Sequence, residues 1–341
     1  MTRLWIIAAL LFGIAGITLA DAPTPPTQPT SGPGGSDYPF GDFVMHRYGE
    51  GDSQYWIFEP AQPTPKSAPV IIFNHGWSAM TPNTYGAWIK HLARRGNIVI
   101  YPRYQASLRT PMMAFTPNAI AAVKDALLEL QNGTHVQPDL TRVAIVGHSM
   151  GGAITPNMAA LAVEDGLPIP KAICCVEPDN HFTGDPSIHM PVADFSKISA
   201  DTLMLVIVGD QDQTAGDLTG KMIFDTLTQI PATKKNFVTL VSDDHGVPPL
   251  VANHFAPIAL EIVDPGAEMA AATTRLQVMR RLEENSVDGM DYFGTWKLFD
   301  GLTDAAFYGK NIQYALGDTP EQRYMGKWSD GTAVKELEVG E

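Results

Sequence analysis

The sequence predicts an α/β fold, a mostly parallel central sheet of about eight strands flanked by helices. Three observations carry that prediction. Short, continuously apolar runs rich in β-branched residues recur along the chain, such as Val70-Ile71-Ile72-Phe73 and Val143–Val146. Runs without polar alternation belong to strands covered on both faces. Segments of helical length alternate with them, which calls for parallel strands joined by crossover helices. Finally, Gly147-His148-Ser149-Met150-Gly151 stands between one such strand and a helix-compatible segment, where a strained strand-to-helix turn is expected.

The elements follow in order. Phe43–Tyr48 and Gln54–Phe58 read as strands, with Gly49-Glu50-Gly51-Asp52 as the hairpin turn. After Pro63-Thr64-Pro65 come the strand Val70–Phe73, the helix Tyr85–Arg94, the strand Asn97–Tyr101 and the helix Asn118–Leu130. Next are the strand Val143–Val146 and a helix to about Val163, then the strands Ala172–Val176 and Thr202–Val208. The helix Lys221–Thr228 and the strand Asn236–Val241 complete the series. Beyond about 265 a helical, aromatic-rich extension is expected, with an amphipathic helix over Met269–Glu284. Asp291–Gly309 carries Tyr292, Phe293, Trp296, Phe299, Phe307 and Tyr308 at a spacing compatible with a helix packed on the body. The tail from Asp318 is polar and reads as a surface excursion.

The chain divides into three parts. Residues 1–20 read as a cleaved signal peptide: Arg3, an apolar run from Leu4 to Leu19, and Thr18-Leu19-Ala20 before Asp21. That run is short for a membrane span of about twenty residues, so no stable membrane anchor is expected and the product is secreted or periplasmic. Residues 21–39, with Pro23, Pro25, Pro26, Pro29 and Pro33, read as a linker outside the fold. Residues 40–341 form the domain. A net charge of −14 argues against nucleic acid as a partner, and the sequence sets no oligomeric state. Cys174 and Cys175 are adjacent in a strand and point to opposite faces, so they read as two buried thiols.

Ser149 is the candidate nucleophile. A serine hydroxyl needs a base within hydrogen-bond reach, and an acid that orients that base. His245, in Asp243-Asp244-His245-Gly246 after the last strand, is the expected base. His148 lies inside the turn, His75 belongs to the turn after the third strand, and His254 reads as a surface residue. His181 and His189 could line a pocket. Asp212, in Gly209-Asp210-Gln211-Asp212, is the expected acid, with Asp179 and Glu177 after the preceding strand as alternatives. Asp210 reads as a turn residue.

Four segments, Asn74-His75-Gly76-Trp77, Gly147–Gly152, Gly209–Asp212 and Asp243–Gly246, occur in the order Ser, Asp, His. In these the chain resembles the α/β-hydrolase superfamily, in the variety of secreted lipases, cutinases and dienelactone-hydrolase-like serine esterases, over roughly residues 40 to 260. The resemblance implies an oxyanion hole made by the N–H groups of Met150 and Trp77. It implies cleavage of small-molecule, lipid or polymer carboxylic esters through an acyl-enzyme. A peptidase, a thioesterase, an acyltransferase or a catalytically silent binding protein are the competing readings. The His-Gly-Gly-Gly form of one esterase branch is absent. The interval Pro178–Asp201 leaves no room for a large cap domain, and Met112, Met113 and Phe115 are expected to form an apolar rim. No cofactor is expected, and no local histidine–carboxylate spacing suggests a metal.

Overall fold

A computed structural model describes residues 22–180, 189–267 and 287–340. The expected signal peptide, the helix expected over Met269–Glu284 and His181 lie outside the described residues. Among the described residues nine strands form one sheet: β1 (Asp42–Tyr48), β2 (Tyr55–Ala61), β3 (Ser67–Asn74), β4 (Ile98–Pro102), β5 (Gln137–His148), β6 (Ala172–Val176), β7 (Leu203–Gly209), β8 (Lys235–Leu240) and β9 (Glu338–Gly340). Their spatial order is β1-β2-β4-β3-β5-β6-β7-β8-β9. Strands β3 to β8 pair in parallel, while β1, β2 and β9 pair antiparallel at the two margins. This is the α/β-hydrolase fold.

Helices α1 (Gly86–Arg94), α2 (Phe115–Asn132), α3 (Met150–Leu161) and α4 (Leu218–Thr226) connect the strands, and a further helix, Trp296–Tyr308, packs beyond them. The apolar residues divide into two cores, one on each face. Ile72, Ile145 and Cys175 face the layer containing α2 and α3, while Ile71, Ala144 and Cys174 face the layer containing α1 and Trp296–Tyr308. This period-2 division explains why the central strands are apolar without alternation. The two cysteines are buried, free and in different cores.

Three expectations need correction. The segment from residue 22 is not a linker outside the fold. Gly34 N–H donates to the buried Asp300 carboxylate at 2.8 Å, Pro23 carbonyl accepts from Val247 N–H at 2.8 Å, and Pro26 is buried. Proline-rich composition describes the local chain, but docking depends on partners more than two hundred residues away. The tail from Asp318 is likewise no excursion: Trp328 is buried, and β9 extends the sheet beside β8. Phe115 is not a rim residue either. It opens α2 with its ring fully buried, whereas Met113 stands 63% exposed.

Candidate active site

Strands β5, β6, β7 and β8 end at the same edge of the sheet, so the loops leaving them converge. In parallel α/β sheets ligands bind at that carboxyl edge. Ser149 stands at the tip of the turn from β5 into α3 with φ +55° and ψ −124°, outside the ordinary helical and extended regions. Such strain persists only where the surroundings over-determine it. Ser149 N–H donates to Val176 carbonyl at 3.0 Å, and Ser149 carbonyl accepts from Asp179 N–H at 3.1 Å and Ala153 N–H at 3.2 Å. The flanking glycines are steric requirements. A Cβ on Gly147 would lie 2.1 Å from Gly151 carbonyl oxygen, and one on Gly151 would lie 2.1 Å from Asn74 carbonyl oxygen.

The structure does not bring His245 to Ser149; another histidine stands there. His245 is exposed and pairs through Nε2 with Asp330 in the C-terminal tail at 2.8 Å. His254 instead places Nε2 2.9 Å from Ser149 Oγ and Nδ1 2.8 Å from Asp212 Oδ2, with all three residues buried. The chain after β8 turns back on itself, with Asp243 and Leu250 exchanging backbone hydrogen bonds of 2.8 and 2.9 Å. Gln211 N–H then donates to Ala252 carbonyl at 3.0 Å, which ties the segment to the β7 exit and brings His254 beside Asp212. The histidine nearest β8 in sequence is thereby carried outward, and the one nine positions later is carried in. In the sequence His254 shows only as a further histidine after the last strand; the antiparallel return that selects it has no short-range signature.

Asp212, expected from sequence as the acid, is the carboxylate hydrogen-bonded to His254. Its Oδ1 accepts the N–H groups of Thr214 and Ala215, each at 2.8 Å. Burial pushes its carboxyl up, but the hydrogen bonds from His254, Ala215 and Thr214 and the His254 charge outweigh that and leave it below the usual range. Asp210 serves the turn, accepting from Ser242 N–H at 3.0 Å and from its hydroxyl. Glu177, the alternative acid, lies at the end of β6 with φ +44° and no exposure. Its Oε2 is 3.8 Å from His254 Nδ1 and 3.5 Å from His148 Nε2, and neither oxygen has a hydrogen-bond partner among the described residues. Burial, reinforced by the Asp212 charge, pushes its carboxyl well above the usual range, which favours the neutral acid. Asp179 is also buried, and its backbone N–H donates to Ser149 carbonyl.

His148, Tyr85 and Gly76 hold the two halves of the site together. His148 Nε2 faces His254 carbonyl oxygen at 2.8 Å and must donate there, since a carbonyl only accepts. Burial first, and the His254 charge second, lower the His148 pKa to about 3, so the ring is neutral and Nδ1 accepts from Tyr85 O–H at 2.8 Å. Tyr85 oxygen in turn accepts Gly76 N–H at 3.0 Å. With the Gly76 N–H engaged, the next amide along, Trp77 N–H, remains the candidate donor from this turn. Met150 opens α3, so its N–H is among those a helix leaves without an internal acceptor. The turn itself abuts Ser149, because a Cβ on Gly76 would lie 3.3 Å from Ser149 Cβ. His75, buried beneath it, stacks on Tyr104 at 4.0 Å and is neutral, burial lowering its pKa to about 3. The Trp77 ring is half exposed, and Leu108 and Met113 stand exposed on the loop that leaves β4.

Comparison with known proteins bears on this geometry. Residues 54–209 match the model of a family described as chlorophyllase, a carboxylesterase-type hydrolase family. The matched segment holds Trp77, Ser149 and Met150 but stops short of Asp212 and His254. A non-reducing polyketide synthase from Acremonium egyptiacum is 21% identical over 287 residues, which are 80% of this chain and 13% of that relative. The chain thus spans only a small part of that relative's length. The family match supports an α/β-hydrolase with hydrolase activity.

Proposed function

We propose that this protein is a serine hydrolase of carboxylic esters, with Ser149 as nucleophile, His254 as general base and Asp212 as its orienting acid. The observation that carries the proposal is the unbroken hydrogen-bonded series from Ser149 Oγ through both ring nitrogens of His254 to Asp212. The positive-φ turn at Ser149 and the family match over 54–209 support it further.

In the proposed cycle Ser149 Oγ attacks the ester carbonyl carbon as its proton passes to His254 Nε2. Asp212, ionised, keeps Nδ1–H in place and stabilises the imidazolium. The oxyanion is held by Met150 N–H and Trp77 N–H. Collapse expels the alcohol, which takes the proton from Nε2 and leaves an acyl-serine. Water then attacks that carbonyl carbon, giving its proton to His254, and the acid departs as Oγ regains a proton. The exposed apolar side chains of Trp77, Leu108 and Met113 favour esters with an alkyl or polymeric part over compact polar ones. We further propose export, on the signal-like residues 1–20. Among the described residues no helix is long and apolar enough to cross a membrane.

The test is hydrolysis of p-nitrophenyl esters from acetyl to palmitoyl, beside thioester and anilide analogues, by the mature protein and by Ser149→Ala, His254→Ala and His245→Ala. Loss of turnover by about three orders of magnitude or more in the first two variants, with His245→Ala active, is the expected result. Loss in His245→Ala with activity retained in His254→Ala would overturn the assignment of the base. Faster anilide than ester cleavage would make the protein a peptidase.

A further inference from the structure

At the opposite margin of the sheet from β8, three side chains distant in sequence converge. His46 lies on β1, Glu59 on β2, and His135 on the segment entering β5. His46 Nε2 is 3.2 Å from Glu59 Oε1, and His135 Nδ1 is 2.5 Å from the same oxygen. The three donor atoms all lie within 4.8 Å of one another. We propose that His46, Glu59 and His135 form a binding site for one divalent transition-metal ion, zinc by its donor set, separate from the hydrolytic site and open at a fourth position.

Two imidazoles and one carboxylate match the nitrogen and oxygen donors of zinc, and imidazole disfavours calcium and magnesium, which take oxygen. Donors about 2.0–2.1 Å from a tetrahedral zinc lie about 3.3 Å apart. The His46–Glu59 separation already has that value. His135 and Glu59, now in direct contact, would open by about 0.8 Å on exchanging the shared proton for the ion.

The surroundings add what an isolated ion-pair cluster does not require. The second oxygen of Glu59 accepts Val136 N–H at 2.6 Å, which fixes the carboxylate plane. The far nitrogen of His135, Nε2, meets the Tyr48 hydroxyl at 3.1 Å and the Glu129 carboxylate at 3.4 Å. Glu129 accepts only, so an Nε2–H directed at it leaves Nδ1 as the donor atom that faces Glu59 Oε1, where a cation satisfies both. A carboxylate behind a ligating histidine is the recurrent outer support of zinc sites. The side chains of Glu59 and His135 are buried, while that of His46 is partly exposed at a cleft of about 560 Å³ lined also by Val44, Lys66 and Thr134, through which ion and water can enter. Among the described residues Lys66 is the sole lysine or arginine lining the cleft, Glu59 also lines it, and Glu129 stands behind His135. An ion here would clamp the β1–β2 hairpin to the α2–β5 connection.

A second histidine–carboxylate group among the described residues, His148, Glu177 and His254, must be separated in the test, because zinc could inhibit there. Zinc binding by the tag-free protein is measured by calorimetry, and geometry by cobalt(II) absorption, alongside thermal unfolding. One site per chain is expected, with a rise in Tm of a few degrees at about 100-fold excess over Kd. His254→Ala should keep that site. His46→Ala changes a partly exposed side chain and should fold normally, yet lose affinity by more than about 100-fold together with the Tm response. Glu129→Gln should weaken binding by about 10- to 100-fold. Absence of binding in the parent protein, binding unchanged in His46→Ala, or binding abolished by His254→Ala would each overturn the proposal.

Discussion

Asp212 and Glu177 both approach His254 Nδ1, at 2.8 and 3.8 Å, and both are buried, yet their carboxyl pKa values are pushed in opposite directions. Two backbone N–H groups and the imidazole compensate Asp212 for burial, whereas Glu177 has no hydrogen-bond donor at either oxygen among the described residues and sits beside an ionised carboxylate. Like charges so close cannot both ionise cheaply. Asp212→Asn should therefore lower kcat by about 10³- to 10⁴-fold, because an amide can hold the wrong tautomer of His254. Glu177→Gln, an uncharged isostere of the neutral acid, should leave the rate nearly unchanged, and steady-state kinetics on one ester checks both. The pH dependence of stability gives a second reading. An unfolded chain releases the Glu177 proton in the ordinary carboxylate range, while the folded protein retains it. The folded state then binds more protons, so parent stability falls as pH rises through that window. Glu177→Gln lacks this slope, and its Tm relative to the parent should rise from about pH 5 to about pH 8. A Tm difference independent of pH would mean that Glu177 is ionised in the fold.

The loop leaving β8 is an element whose position depends on the C-terminal tail. Trp328 is buried, donates its indole N–H to Asp243 Oδ2 at 3.0 Å, and lies so close to Gly246 that a Cβ there would be 2.4 Å from its ring. Lys335 N–H reaches the same carboxylate oxygen at 3.0 Å. Trp328→Ala should cost about 3–5 kcal/mol in urea unfolding, and with the loop loosened it should also lower turnover, although the residue is remote in sequence from the site. Unchanged stability would show that the tail merely rests on the surface. The same region marks where reading the sequence reaches its limit. Ala172–Val176 could be delimited to the residue, because five apolar residues flanked by Lys171 and Glu177 admit few alternatives to a doubly covered strand. Ser149 and Asp212 were legible because each belongs to a short segment whose turn geometry demands particular neighbours. Glu338–Gly340 was not, since three residues are too few to display period-2 alternation. His254 was missed because the loop that carries it is shaped by the Asp243–Leu250 return and by distant Trp328, none of which is local.

Over the whole molecule, the segment beginning at residue 22 behaves as a strap joining parts made late and early in the chain. Thr24 carbonyl accepts from Ser329 N–H at 3.0 Å, tying the strap to the C-terminal tail, and Gly34 N–H reaches Asp300 on the helix Trp296–Tyr308. Asp300 also meets His91 Nε2 at 2.9 Å and Arg95 Nε at 3.2 Å, both on the α1 side. Burial raises its carboxyl, but the Arg95 and His91 charges and the hydrogen bonds from His91 and Gly34 outweigh it and hold it below the usual range. A depressed folded pKa means that this junction contributes stability above the unfolded carboxylate range and loses it as pH falls through the folded value. Gly34 is where the strap can be tested alone. Its φ is +77°, and a Cβ there would lie 2.0 Å from Tyr292 carbonyl oxygen, so Gly34→Ala must displace backbone rather than a flexible side chain. The variant should lose about 2 kcal/mol or more at neutral pH. It should also become open to proteolysis within 22–36, and its deficit should shrink on acidification as Asp300 protonates in both proteins. If Gly34→Ala unfolds like the parent and resists protease equally, the strap carries no stability, and the Asp300 junction is held by His91 and Arg95 alone.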